Sequence, residues 1–189
     1  MTAVSTYVAL LRGVNVGGNN KIPMAALRSA LEAAGFDRVR TYIQSGNVLV
    51  DSRKAKPETL AARVRAVIDD TFGLEIATIV VDSARLASVV AATPYGDEPD
   101  PRRVHVFFLP AEPTDEALAK VAQLQEASAA KGARDSITVD GAVMYLHTPD
   151  GFGTSDLAKS LSTRGAGIHR SGTARNWATV TTLLRMCES

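Results

Sequence analysis

A single cysteine, Cys187, occurs in the 189 residues, so no internal disulfide can form. Nothing in the thiol content calls for an oxidising compartment. The three histidines, His105, His147 and His169, stand far apart and match no zinc-ligand spacing. Long apolar runs are missing too. None approaches the roughly 18 residues that span a bilayer, and the run Tyr7–Leu11 is cut by Arg12 before signal-peptide length. These absences give a cytoplasmic expectation, with no membrane partner and no metal. Paired carboxylates and an Asp-rich loop are likewise missing, and no histidine in the first half can serve Ser45. Serine-hydrolase and metal chemistry therefore lack their residues. No catalytic group or cofactor is assigned, and whether the chain is an enzyme stays open.

Charge of one sign is missing locally rather than globally. The net charge of +1 excludes a uniformly basic nucleic-acid coat. Residues 157–187 hold no Asp or Glu but carry Lys159, Arg164, Arg170, Arg175 and Arg185. Residues 1–31 hold Arg12, Lys21 and Arg28, again without an acid. Acids gather in the middle, Asp97, Glu98 and Asp100 among them. This asymmetry suits a phosphate or carboxylate partner, and equally a solvated surface. Hydrophobic content of 46% with 22% charged residues argues for a folded globular chain.

What is present reads as an α+β protein: a ferredoxin-like βαββαβ subdomain, then a second, incomplete α+β copy of the same pattern. The first subdomain spans residues 1–82. Thr6–Leu11 is a strand, and Pro23–Ala34 a helix with Pro23 in its first turn and Gly35 as its stop. Val39–Ile43 and Val48–Val50 form a hairpin, Pro57–Phe72 is a helix ended by Gly73, and Ile76–Val81 is a strand. Residues 83–102 give a short helix capped by Asp82 and a Pro- and Gly-containing linker, Tyr95–Arg102. The second subdomain spans residues 103–189. Its strand Val104–Leu109, helix Thr114–Ala130 and strands Ser136–Val139 and Val143–His147 meet at a type I′ turn, Asp140-Gly141. Helices Ser155–Ser162 and Trp177–Cys187 follow, with Trp177 reading as core beside Val180 and Leu184. No closing strand is legible between them, because Gly165–Gly172 is glycine-rich.

Topology makes two loops the leading candidate site. In a βαββαβ sheet the first and second strands run parallel with the third between them, so both end at one edge. The Arg12–Lys21 loop and the Gln44–Asn47 turn should therefore be neighbours. Gly17 and Gly18 allow close backbone approach to a small anionic or phosphorylated ligand, and Arg12 and Lys21 supply charge. Asn15, Asn19, Gln44, Ser45 and Asn47 orient or close the site. The loop feeds a helix N-terminus, which favours anions, though it matches no nucleotide-binding glycine fingerprint. The alternative is that glycine and asparagine merely satisfy left-handed turns.

A secondary candidate is Gly151-x-Gly153-x-Ser155 with Lys159 one turn on, joined by Arg175 and Asn176 in the first turn of the last helix. A cation there opposes the helix dipole, which a bound anion would relieve. Plain N-capping by Thr154 or Ser155 is the competing account. Two further readings stay open. The acid-free 157–187 stretch, with His105, Phe107, Tyr145 and His147 on one sheet face, would suit single-stranded nucleic acid or RNA. An exposed sheet face would suit self-association or a protein partner.

The motifs LRGVNVGGNNKIPM and TYIQSGNVLV, with Gly151–Ser155 and Thr173–Leu184 as a second signature, are long and specific. On them the chain resembles the bacterial domain-of-unknown-function family 1697. The resemblance implies an α+β fold of two subdomains in a cytoplasmic bacterial protein. It supplies no activity, cofactor or catalytic residue.

Overall fold

The computed structural model of the chain describes residues 4–53, 55–163 and 172–189. Arg164, His169 and Arg170, and most of the glycine-rich run that begins at Gly165, lie outside the described residues. The chain divides into two compact units, Met1–Ser88 with Leu183–Ser189, and Val89–Thr182. Among the described residues no helix is long and apolar enough to cross a membrane.

The first unit runs β1 (Val4–Leu11), α1 (Met24–Ala33), β2 (Asp37–Tyr42), β3 (Asn47–Arg53), α2 (Pro57–Phe72) and β4 (Thr78–Asp82). Its strands are antiparallel to their neighbours in the order β2-β3-β1-β4. Strand alternation puts Tyr7 beside Val50 and Ala9 beside Val48, and the helices press Leu27, Leu31, Leu60 and Ile68 into the same core. Those four side chains are essentially inaccessible. Each contributes about 1.5–3 kcal/mol by burial, so together they rival a small domain's net stability. Pro57 starts α2, and Gly73, at φ +64°, stops it by donating to the Asp69 carbonyl. The Asp82 carboxylate accepts from the Arg85 N–H at 2.7 Å and so caps α3 (Ser83–Ala91).

The second unit runs β5 (Val104–Phe108), α4 (Asp115–Ala129), β6 (Ser136–Asp140), β7 (Val143–His147), α5 (Asp156–Thr163), β8 (Thr173–Asn176) and α6 (Trp177–Cys187). The antiparallel order is β6-β7-β5-β8. Thr114 caps α4 by accepting from the Ala117 N–H at 3.2 Å. The structure departs from expectation in two places here. The strand missing from the sequence reading is β8, which pairs with β5 from His105↔Asn176 to Phe108↔Thr173. It is four residues long, abuts a helix and turns an arginine inward, so no apolar alternation announces it. The β6–β7 turn also sits one residue later than expected. Asp140 pairs with Val143, leaving Gly141 and Ala142 as the central residues, and only Gly141 has positive φ, +55°. That pattern belongs to a II′ turn rather than I′. In α6 the fully buried residues are Val180 and Leu183, while Trp177 and Leu184 are half-buried.

The last residues of the chain belong to the first unit and are held there by two arginines of β2. Arg40 Nη1 donates to the Met186 carbonyl at 2.6 Å, and Arg38 Nη2 to the Ser189 carbonyl at 3.3 Å. Both guanidiniums also face buried Asp51, at 3.2 Å from Arg38 and 3.8 Å from Arg40. A cation on the final carbonyls meets the negative end of the helix. Burial pushes the neighbouring Cys187 thiol up to about 11, which leaves it protonated at neutral pH.

Candidate functional site

The two loops of the first unit meet. Asn15 Nδ2 donates to the Gln44 carbonyl at 2.7 Å and to the Ile22 carbonyl at 2.9 Å, and Asn15 Oδ1 accepts from the Ile22 N–H at 2.9 Å. The Leu11 N–H donates to the Gly46 carbonyl at 2.8 Å. At Gly46 the approach is so close that a Cβ would lie 2.7 Å from Leu11 Cβ, which only glycine at φ +74° permits. The tip of the first loop is a miniature hairpin: Val16 bridges Asn19 around Gly17 and Gly18, at φ +59° and +82°. Two positive central angles define a type I′ turn. Asn20 Nδ2 closes the base by donating to the Gly13 carbonyl at 3.1 Å.

Three loop amides are thus engaged in holding the loops themselves. Asn15 and Asn20 clamp the hairpin, and Asn47 is fully buried with Nδ2 donating to the Tyr42 carbonyl at 3.2 Å. Gly17, Gly18, Asn19, Lys21 and Gln44 remain on the surface, with Arg12 and Ser45 half-buried.

The secondary candidates do not form one cradle. Ser155 Oγ accepts from the Ala158 N–H at 2.9 Å and donates to Asp135 at 2.7 Å, so it is a buried cap for α5. Lys159 lies on the surface 3.9 Å from Asp156, and Gly153 is exposed. Arg175 and Asn176 are in β8, not in a helical turn. Asn176 Oδ1 caps α6 by accepting from the Thr179 N–H at 2.9 Å. Arg175 is buried, with Nη1 donating to Thr173 Oγ1 and to the Ala174 carbonyl, both at 2.8 Å. Burial alone lowers its guanidinium to about 10, still charged at neutral pH.

The aromatic nucleic-acid face is also corrected. His105 and Phe107 stand opposite Leu146 and Met144, whereas Tyr145 and His147 stand opposite Val106 and Val104. Directly paired residues share a face, so the two aromatic pairs lie on opposite sides of the sheet. Phe107 and Tyr145 are buried besides, and Tyr145 donates to the Val89 carbonyl at 2.8 Å. β5 and β7 are linked through α4 and β6, so no turn fixes their register in a way the sequence displays.

What the second unit does form is a polar cleft of about 670 Å³. Its wall includes Arg102, Arg103 and Arg134, two carboxylates (Asp100 and Asp150), and His105, Gly151, Phe152 and Asn176. Arg102 grips Asp100 through Nε and Nη2, both at 2.9 Å. Arg134 grips Asp150 through Nε at 3.1 Å and through Nη2. Arg103 lies between, with Nη1 3.5 Å from Glu98 and Nε 3.8 Å from Asp100. Thr148 fastens it by donating from both N and Oγ1 to the Arg103 carbonyl, at 2.8 and 3.2 Å. Behind the cleft His147 Nε2 donates to Glu98 at 2.7 Å, and the imidazole stacks on Tyr95 with centroids 4.8 Å apart.

These contacts shift the acids together. The Arg102 hydrogen bond, then its backbone N–H and the charges of Arg102 and Arg103, hold Asp100 down to about 2. Glu98 is lowered first by the His147 hydrogen bond, then by the Asp100 N–H, with the charge of Arg103 adding. Asp150 is lowered first by the Arg134 hydrogen bond, with the charges of Arg134 and Arg103 adding. Burial meanwhile lowers His105 to about 4, so its imidazole is neutral at physiological pH. Of the earlier candidates, Gly151 and Asn176 of the secondary site and His105 of the aromatic face reach this cleft. Arg102 ends a segment, Tyr95–Arg102, that reads as a linker, and Arg103 and Arg134 belong to no motif of their own. The one available signal was Pro101-Arg102-Arg103 immediately before a strand. Among the described residues no cluster of His, Cys, Asp or Glu has a metal-binding arrangement.

Comparison with known proteins gives a family and a fold. The family model described as a protein of unknown function, DUF1697, matches residues 4–145. The signature read at Gly151–Leu184 therefore lies beyond the matched stretch. No curated protein matches the chain. Among solved structures, the conserved bacterial protein SP0830 from Streptococcus pneumoniae is similar over 98% of this chain and 99% of its own. The two are 22% identical, with a TM-score of 0.72, and so share a fold. A candidate chlorite dismutase, TA0507, aligns over 96% of this chain and 99% of its own at 16% identity. Its TM-score of 0.25 is too low to bear on fold or function.

Proposed function

We propose that this chain, which belongs to the DUF1697 family of proteins of unknown function, binds a small anionic or phosphorylated ligand in the second-unit cleft. Arg102, Arg103 and Arg134 are its cationic wall. One observation carries the reading: the guanidiniums of Arg102, Arg103 and Arg134 converge on one cleft that only two carboxylates, Asp100 and Asp150, share. The three guanidiniums outnumber the two carboxylates of the wall by one positive charge, which attracts an incoming anion. Each bidentate pair engages Nε and one Nη of its guanidinium, and the other Nη group is the donor that a ligand oxygen would meet. Three guanidiniums share the wall with two carboxylates, so affinity is modest and falls with salt.

Titration calorimetry with inorganic phosphate at low ionic strength tests this. Wild-type protein binds, and Arg103→Ala weakens binding about tenfold or more, the value of one charge-assisted hydrogen bond. Absence of binding, or equal affinity in R103A, ends the reading.

The first-unit loops are a second seat, with Arg12 and Lys21 supplying charge, backbone amides of Gly17 and Gly18 contacting oxygens, and Ser45 on the other side. The Asn15–Gln44 hydrogen bond supports it by holding both loops at one edge. An R12A/K21A double variant that loses phosphate while R103A keeps it would move the site there. Each unit is further read as a ferredoxin-like βαββαβ sheet; the strand orders β2-β3-β1-β4 and β6-β7-β5-β8 support that.

A further inference from the structure

The cleft has two unlike walls. Opposite in character to the guanidiniums is an aromatic one, where the Phe152 ring stacks on His105 with centroids 4.0 Å apart and planes inclined by 28°. Phe152 is half-buried, one face against the imidazole, and it lines the cleft. His105 contributes no cation there, because burial lowers it to about 4. Its Nδ1 is buried without a hydrogen-bond partner among the described residues. A free phosphate would use only the arginine side of a space of about 670 Å³, within the range of whole small-ligand pockets.

Resting on the anion-binding reading above, we propose that the ligand is an anion carrying a planar heteroaromatic ring, as a mononucleotide does. Its ring lies on Phe152 and its phosphate lies among Arg102, Arg103 and Arg134. Stacking on an aromatic side chain is sequence-tolerant and strong enough to decide between ligands that share a phosphate.

The test compares adenosine 5′-monophosphate with ribose 5-phosphate by titration calorimetry on the full chain. Wild-type protein should bind the nucleotide about tenfold or more tightly, an advantage of the size base stacking supplies. Phe152→Leu, which keeps apolar volume in the partly buried position against the second unit's core, should erase the advantage while leaving ribose 5-phosphate affinity unchanged, with a lower thermal midpoint from the lost His105 stack. Equal affinity of wild-type protein for both compounds overturns the ring and leaves the anion reading standing. An advantage that survives intact in F152L overturns the role of Phe152. Failure of both compounds to bind removes the anion reading, and this proposal with it.

Discussion

Asn15 and Gln44 lie 29 residues apart and are joined by a 2.7 Å hydrogen bond from the asparagine amide to the glutamine carbonyl. The bond exists because β1 and β2 point the same way, each antiparallel to β3 between them. The same amide group satisfies both backbone groups of Ile22, so one side chain ties the first loop to its own base and to the second loop.

Replacing that side chain should therefore unfold more than a loop residue normally would. The Asn15 side chain makes three hydrogen bonds, and its backbone sits at φ +56°. At about 0.5–1.5 kcal/mol each, partly exposed, the bonds are worth about 2 kcal/mol. Alanine also takes on about 1 kcal/mol of left-handed backbone strain. Urea unfolding should show N15A about 1 kcal/mol less stable than N15G, with both below wild type. Equal stability of wild type and N15G would show the clamp to be idle.

Glycines in this loop pair separate two costs. At Gly46 a Cβ meets Leu11 Cβ at 2.7 Å and φ is +74°, whereas at Gly17 nothing lies within 4 Å and only φ, at +59°, is unfavourable. G17A should cost about 1 kcal/mol. G46A should cost that and a clash that β1 cannot relieve without shifting, about 2–4 kcal/mol in all. Denaturant midpoints check the order; G17A at or below G46A would refute it.

Much of this first unit was legible in the sequence because its signals are local and agree. Pro57 and Gly73 bracket a helix of regular apolar spacing, and parallel strand ends place Asn15 near Gln44 before any coordinates. The second unit was less legible for equally physical reasons. β8 hides an arginine on an inward position, and the register of β5 on β7 follows from no turn. The cleft joins Arg102, Arg134 and Asp150 from three separate connections, a meeting that only tertiary structure produces.

Stability should fall as the solution is acidified through the range set by His105. Its folded value is near 4 against an ordinary 6.5, so the unfolded chain takes up the proton first. The contribution is fully present above about pH 6.5 and is lost between there and about pH 4, on the order of 2 kcal/mol after allowance for partial exposure. Asp100, lowered to about 2 from 3.8, acts in a separate window, its contribution present above the ordinary value and lost as pH falls through the lowered one. An H105Q variant should flatten the upper window and leave the lower one. A wild-type slope that persists in H105Q would place the titration elsewhere.

Arg103 should be the electrostatic hub of the cleft, and its removal should read differently from that of either neighbour. Asp100 depends first on the Arg102 hydrogen bond and Asp150 first on that of Arg134, but the charge of Arg103 reaches both, and Glu98 as well. In carboxyl carbon NMR titrations, R103A should raise all three acids at once, each by less than the loss of its own hydrogen-bonding partner. R102A should raise chiefly Asp100, and R134A chiefly Asp150. Asp150 is the most exposed of the three and Glu98 the least, so added salt should shrink the Asp150 difference most. The pattern is diagnostic: R103A that moves Asp100 but leaves Asp150 in place would mean two separate ion pairs and no shared field for a ligand to enter.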